Sequence, residues 1–174
     1  MKKTVALVLG TRPEAIKLAP IELLLRAHPT LDGLVCITGQ HRQMLDQVLA
    51  VFEIPIHTDL ALMRPGQTPT EVLVRCTAGV DGWLAATKPD LVLVQGDTTT
   101  ALSAALASFH RGIPVGHVEA GLRTHDLNAP WPEEANRQLI SRLARIHFAP
   151  TESARSNLVA EGIPDARIAV TGNT

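Results

Sequence analysis

Short apolar, β-branched runs alternate with stretches of helical spacing along the whole chain, and this alternation constrains the fold more than any other feature. The runs are KTVALVLG, GLVCITG, DLVLVQG, IPVGHVEA, RIHFAPT and RIAVTG. Several follow Gly, Pro or Asp, as buried parallel strands do. HTDLAL, residues 57–62, is a weaker seventh candidate. Between the runs the spacing predicts helices over 13–27, 41–52, 68–86, 98–110, 132–143 and 152–161, with Pro20 splitting the first into two. A βαβα order with short connections predicts an α/β fold: a Rossmann-like, doubly wound parallel sheet with helices on both faces. At 174 residues and 45% apolar composition, one domain spanning 1–174 can bury a full core.

Ligands of such sheets sit beyond the C-terminal ends of the strands, so the segments to inspect are GTRPE, TGQHR, QGDTTT, EAGLRT and PTES. The first contains one glycine where a dinucleotide site needs G-x-G-x-x-G, and no G-x-x-x-x-G-K-[ST] occurs. A net charge of −1, with cations scattered along the chain, argues against nucleic acid as a partner. No run is long enough to span a membrane, and the apolar stretch after MKK is short and has no signal-peptide cleavage site. The only cysteines, Cys36 and Cys76, lie in apolar settings and read as reduced core thiols, which suits a cytoplasmic protein.

Within VALVLGTRPEAIKLAP, Arg12 and Lys17 flank the start of a helix, where free amides and the helix dipole favour an anion. The bland alternative is a solvated salt bridge with Glu14. Asp97 follows LVLVQG and is either the N-cap of the next helix or a working carboxylate. Glu119 closes an apolar strand and needs a partner, for which Arg123 and His117 are the candidates. Glu133 and Glu134 follow Pro132 in a first helical turn, where dipole complementation alone could explain them. His117 and Glu119, two apart on a strand, lack a third ligand at metal-site spacing, so no metal is expected. Asp97, Glu119 and Glu133 on one rim with Arg12 and Lys17 suit proton transfer on a phosphate-bearing substrate.

The blocks GTRPEAIKLAP, TGQHRQMLDQVL, KPDLVLVQGDTTT, IPVGHVEAGLRT, PWPEEANRQL and TGNT resemble, in order and spacing, the non-hydrolysing bacterial UDP-N-acetylglucosamine 2-epimerases. The resemblance implies one half of a two-domain GT-B-type architecture: an N-terminal Rossmann-like domain, with the C-terminal UDP-binding domain absent from this chain. It implies interconversion of UDP-N-acetylglucosamine (UDP-GlcNAc) and UDP-N-acetylmannosamine (UDP-ManNAc) by elimination and re-addition of UDP, without a cofactor. Carried over residue by residue, Asp97, Glu119 and Glu133 fall on acid/base positions, and Arg12 and Lys17, with Asp97 and Glu119, on substrate-binding positions. Gln40, His41 and Gln43 match an effector site for a second UDP-GlcNAc, although Gly66 stands where an effector-binding arginine is expected. Gln95 replaces a frequent histidine, and the loop around Asn128 lacks a common aromatic. The resemblance also implies a homodimer through helices of this domain, around MLDQVLAVF and EVLVRCTAGVDGWLAA. A hydrolysing 2-epimerase and a non-catalytic sugar-nucleotide-binding or interaction module are the alternatives.

Overall fold

The computed structural model describes residues 2–39 and 42–174. Its elements run β1 (Lys3–Leu9), α1 (Arg12–Ala27), β2 (Leu31–Ile37), α2 (Arg42–Val51), β3 (Thr58–Asp59), α3 (Pro69–Thr87), β4 (Leu91–Gln95), α4 (Thr99–His110), β5 (Val115–Val118), α5 (Glu133–Leu143), β6 (Ile146–Ala149), α6 (Glu152–Ala160), a 3₁₀ turn (Asp165–Arg167) and β7 (Ile168–Val170). The seven strands form one sheet in the order β3-β2-β1-β4-β5-β6-β7. Every neighbouring pair is parallel. The chain winds outward from β1 in both directions, so the crevice of this doubly wound sheet opens where β1 meets β4.

Alternation along the strands sorts the core into two layers. Ala6, Val8, Val92, Val94 and Val115 face a cluster that includes Val80, Trp83 and Leu84 of α3 and Ala101, Ala104 and Ala105 of α4. The alanines leave no side-chain bulk between α4 and the sheet. Val5, Leu7, Leu9, Val35 and Ile37 face Ala15, Leu18 and Ala19 of α1 and Leu45, Val48 and Leu49 of α2 on the other side. Cys36 and Cys76 are free and fully buried, and burial pushes their thiols up to about 12 and about 11.

Pro20 does not split the first helix: α1 is one element of 16 residues. Proline costs about 3 kcal/mol or more inside a helix through a lost hydrogen bond and a clash. Docking Ala15, Leu18, Ala19 and Leu25 against the sheet outweighs that, at about 1.5–3 kcal/mol for each fully buried large aliphatic side chain. No helix among the described residues is long and apolar enough to cross a membrane.

Candidate active site

Three turns meet at the C-terminal ends of β1, β4 and β5. The β1–α1 turn is built around Glu14, which is fully buried. One carboxylate oxygen accepts from the Gly10 amide (2.9 Å), the Thr11 amide (2.7 Å) and the Thr11 hydroxyl (2.8 Å). The other accepts from Thr98 Oγ1 at 2.6 Å and so bridges to the β4–α4 turn across the crevice. Burial pushes the Glu14 carboxyl up, while the bonds from Thr98, Gly10 and Thr11 hold it back. The turn needs glycine at position 10, because a Cβ there would lie 2.5 Å from Thr38 Oγ1 and 2.6 Å from Thr100 Oγ1.

This corrects the expected solvated salt bridge: Glu14 turns inward and accepts from the Gly10 and Thr11 amides just ahead of α1. Arg12 is exposed, without a carboxylate partner among the described residues, beside a groove of about 310 Å³ bordered by Ile16, Gln47, Val48, Val51 and Phe52. Lys17 is half-buried and its Nζ donates to Asn173 Oδ1 in the segment after β7.

Asp97 is not the N-cap of α4. Thr98 is, its hydroxyl accepting from the Ala101 amide at 3.0 Å. The helix starts one residue later than a capping Asp97 requires, and the Asp97 carboxylate instead meets Arg137 Nη2 of α5 at 2.7 Å. Its backbone carbonyl accepts from Asn136 Nδ2 at 2.8 Å. Burial pushes the Asp97 carboxyl up, Arg137 pulls it down, and Glu133 and Glu119 push it up, leaving it above its ordinary value. Asp97, Glu119 and Glu133 therefore share one electrostatic neighbourhood.

Glu119 finds neither Arg123 nor His117. It follows β5 with φ of +65°, an uncommon conformation for a residue with a Cβ, so the two-residue alternation that would place it beside His117 ends at Val118. Its carboxylate accepts instead from Gln95 Nε2 at the end of β4. Arg123 is occupied by Glu161, at 2.6 and 2.9 Å, and by Ser141 at 2.9 Å. His117 Nε2 bonds to the Gly96 carbonyl at 2.7 Å. Glu133 opens α5 and is half-buried.

The roles of four contributors escaped sequence reasoning. Glu14 and Glu134 resembled first-turn carboxylates, yet both are fully buried. Glu134 accepts from the Thr124 amide (3.1 Å), the His125 amide (3.2 Å) and Gln138 Nε2 (2.8 Å), which fastens the β5–α5 loop to α5. Burial alone would raise its carboxyl, but these donors and Arg137 hold it low. Arg137 carried no expectation, and Gln95 stood out only as replacing a frequent histidine, not as a partner of Glu119. The spacing of Thr11 and Glu14 matches a capping box, and Glu134 to Arg137 is an i,i+3 pair, so both signals were present but local. Gln40 and His41 of the expected effector site lie outside the described residues, and of Gln43 only its place in α2 is described.

A family model for UDP-N-acetylglucosamine 2-epimerase matches residues 24–174. The chain belongs to the UDP-N-acetylglucosamine 2-epimerase family. It is 59% identical over 167 residues to the UDP-N-acetylglucosamine 2-epimerase of Yersinia pestis, covering 96% of this chain and 44% of that protein. The crystal structure of the Neisseria meningitidis UDP-GlcNAc 2-epimerase bound to UDP-GlcNAc superposes with a TM-score of 0.96 at 54% identity, covering 98% of this chain and 46% of that one. The Methanocaldococcus jannaschii enzyme, in complex with UDP-GlcNAc and UDP, gives a TM-score of 0.92 at 38% identity over 98% of this chain and 46% of that one. The chain thus spans under half the length of these 2-epimerases. Asp97 lies on its β4–α4 turn and Glu119 on its β5–α5 turn.

Proposed function

We propose that the complete protein interconverts UDP-GlcNAc and UDP-ManNAc, and that this chain is the N-terminal domain supplying its carboxylates. The observation that carries the reading is the shared neighbourhood of Asp97, Glu119 and Glu133, with Arg137 against Asp97, in a chain of this family. In the elimination a base takes the proton from C2, the bond from C1 to the diphosphate oxygen breaks, a C1–C2 double bond forms and UDP departs. In the return UDP adds to C1 and a proton reaches C2 on the opposite face. Two faces of one carbon need two proton carriers, and carboxyl groups gathered at one site can supply that pair. The diphosphate falls to Arg12, Lys17 and a UDP-binding domain beyond this chain.

The test is conversion of UDP-GlcNAc by the complete protein in deuterated water. UDP-ManNAc with deuterium at C2 is the expected product. Free N-acetylmannosamine plus UDP would assign a hydrolysing enzyme, and no conversion would overturn the reading in favour of a binding module. The 174-residue chain alone should show no turnover, and measurable epimerisation by it would refute the need for a second domain.

A homodimer is part of the same reading. On α3 and α4, Val74 is 61% exposed and Phe109 55%, and a groove of about 430 Å³ between these helices is lined by Leu73, Val74, Ala78, Leu106 and Ala107. On α2, Val51 is 78% exposed. Exposed apolar surface of the kind seen on α3 and α4 marks an interface. Sedimentation at micromolar concentration should give a dimer; a monomer throughout that range would contradict it.

A further inference from the structure

We propose that Gln95 is a positioning residue that aims the Glu119 carboxylate, an inference that rests on the reaction proposed above. Gln95 is the last residue of β4 and only 4% exposed, and it lies in register with Val118, the residue before Glu119. The backbone on either side of Glu119 is fixed, since the Gly96 amide donates to Val118 O and the Ala120 amide to Phe148 O, each at 3.0 Å. Its side chain is not fixed in that way. Among the described residues its hydrogen-bond partner is the Gln95 amide, which donates from Nε2 to Oε2. Glu119 also sits at φ of +65°, so the main chain spends conformational energy to place this side chain off the strand path.

The choice of an amide has a chemical consequence. Lysine or arginine in its place would add a full positive charge beside a group that has to release and take up a proton. The glutamine amide orients the carboxylate, does not ionise in the working range, and holds no proton that competes with the one in transit. Burial keeps this donor from exchanging Glu119 for water, so the aim of the carboxylate depends on it.

The experiment uses the complete protein with UDP-GlcNAc. Gln95→Met keeps the side-chain length and removes the donor. It should lower kcat about 10- to 100-fold, the scale of a misplaced reacting group, while KM changes less than about threefold. Gln95→His, which restores a ring N–H donor, should recover a substantial part of the lost kcat. Gln95→Glu, near-isosteric and without a donor when ionised, should fail as Gln95→Met does and covers the case in which methionine prevents folding. Thermal melts on the same proteins separate aim from integrity. Unchanged kcat in both donor-less variants overturns the inference while leaving the epimerase reading intact. Equal losses in all three variants, or losses that track the melting temperature, also overturn it. A wild-type protein with no turnover removes both readings.

Discussion

Asp97→Asn, Glu119→Gln and Glu133→Gln should each lower kcat of the complete protein by about 10²–10⁴-fold, the range for removing a general acid or base, with KM altered far less. The structure sharpens what each replacement isolates. Thr98 caps α4, so Asp97→Asn leaves the cap in place and removes only the carboxylate facing Arg137. Glu133 lies in the first turn of α5, where a purely structural role would cost about 0.3–1 kcal/mol of stability and spare turnover. Arg12→Ala, by contrast, should raise KM as well as lower kcat, because an exposed cation with no carboxylate partner among the described residues is available to a bound diphosphate. The pH profile adds a sign. Glu119 and Glu133 both push the Asp97 carboxyl up, so neutralising either should make Asp97 easier to ionise and move the limb it governs to lower pH. Rates, melts and deuterium incorporation at C2 belong on the same variants. Near-normal exchange in any one of them would return that residue to the scaffold.

Local pattern made most of the fold readable, since every strand predicted from the runs, including the weak candidate at Thr58–Asp59, joins the sheet. Apolar periodicity reports burial directly, and burial decides these elements. Polar burial carries no such signature. Glu14 and Glu134 look like surface carboxylates of first turns because their buried state depends on amides supplied by loops. Contacts between elements were equally hidden: Gln95 meets Glu119 across 24 residues and Lys17 meets Asn173 across 156. The left-handed backbone at Glu119 broke the alternation that had assigned it to His117, and a sequence shows such a break plainly only where glycine occupies it. The candidate carboxylates were legible as a set because they fall at strand and helix ends. Their partners required the fold.

Two buried histidines on neighbouring strands should make the domain acid-sensitive at a pH where ordinary carboxylates are still ionised. His117 and His147 lie opposite one another on β5 and β6, and both are fully buried. Burial pushes each down from 6.5 to about 4; the Gly96 carbonyl partly opposes this for His117, and the Ala144 backbone for His147. Among the described residues the His117 Nδ1 and both ring nitrogens of His147 have no hydrogen-bond partner, so the Ala144 backbone acts on His147 as a nearby dipole and not through a formed bond. In the unfolded chain each ring takes up its proton near pH 6.5, whereas in the fold it resists until about pH 4. The unfolded state therefore binds more protons across that interval, and stability present above pH 6.5 is lost as the pH falls toward 4. The size is about 3 kcal/mol for each ring, and less than the sum for both because the two sites oppose each other's charge. Glu14 and Asp97, whose carboxyls are raised, act in the opposite sense as the pH approaches their unfolded values, so the observed slope is a difference. His147→Phe separates the contributions: it replaces a ring without hydrogen bonds by an apolar ring of similar volume, should leave stability at pH 7 nearly unchanged or higher, and should flatten the decline below pH 6.5. His117→Phe should flatten it too, but with a loss of about 1–3 kcal/mol at pH 7 that shrinks as the pH falls, because the Gly96 carbonyl loses its donor beside Asp97. Urea melts of the three proteins from pH 7.5 to 4 decide the matter: a wild-type midpoint that holds steady down to pH 4.5, or a His147→Phe protein that declines as steeply as wild type, would show that these rings are not what the acid attacks.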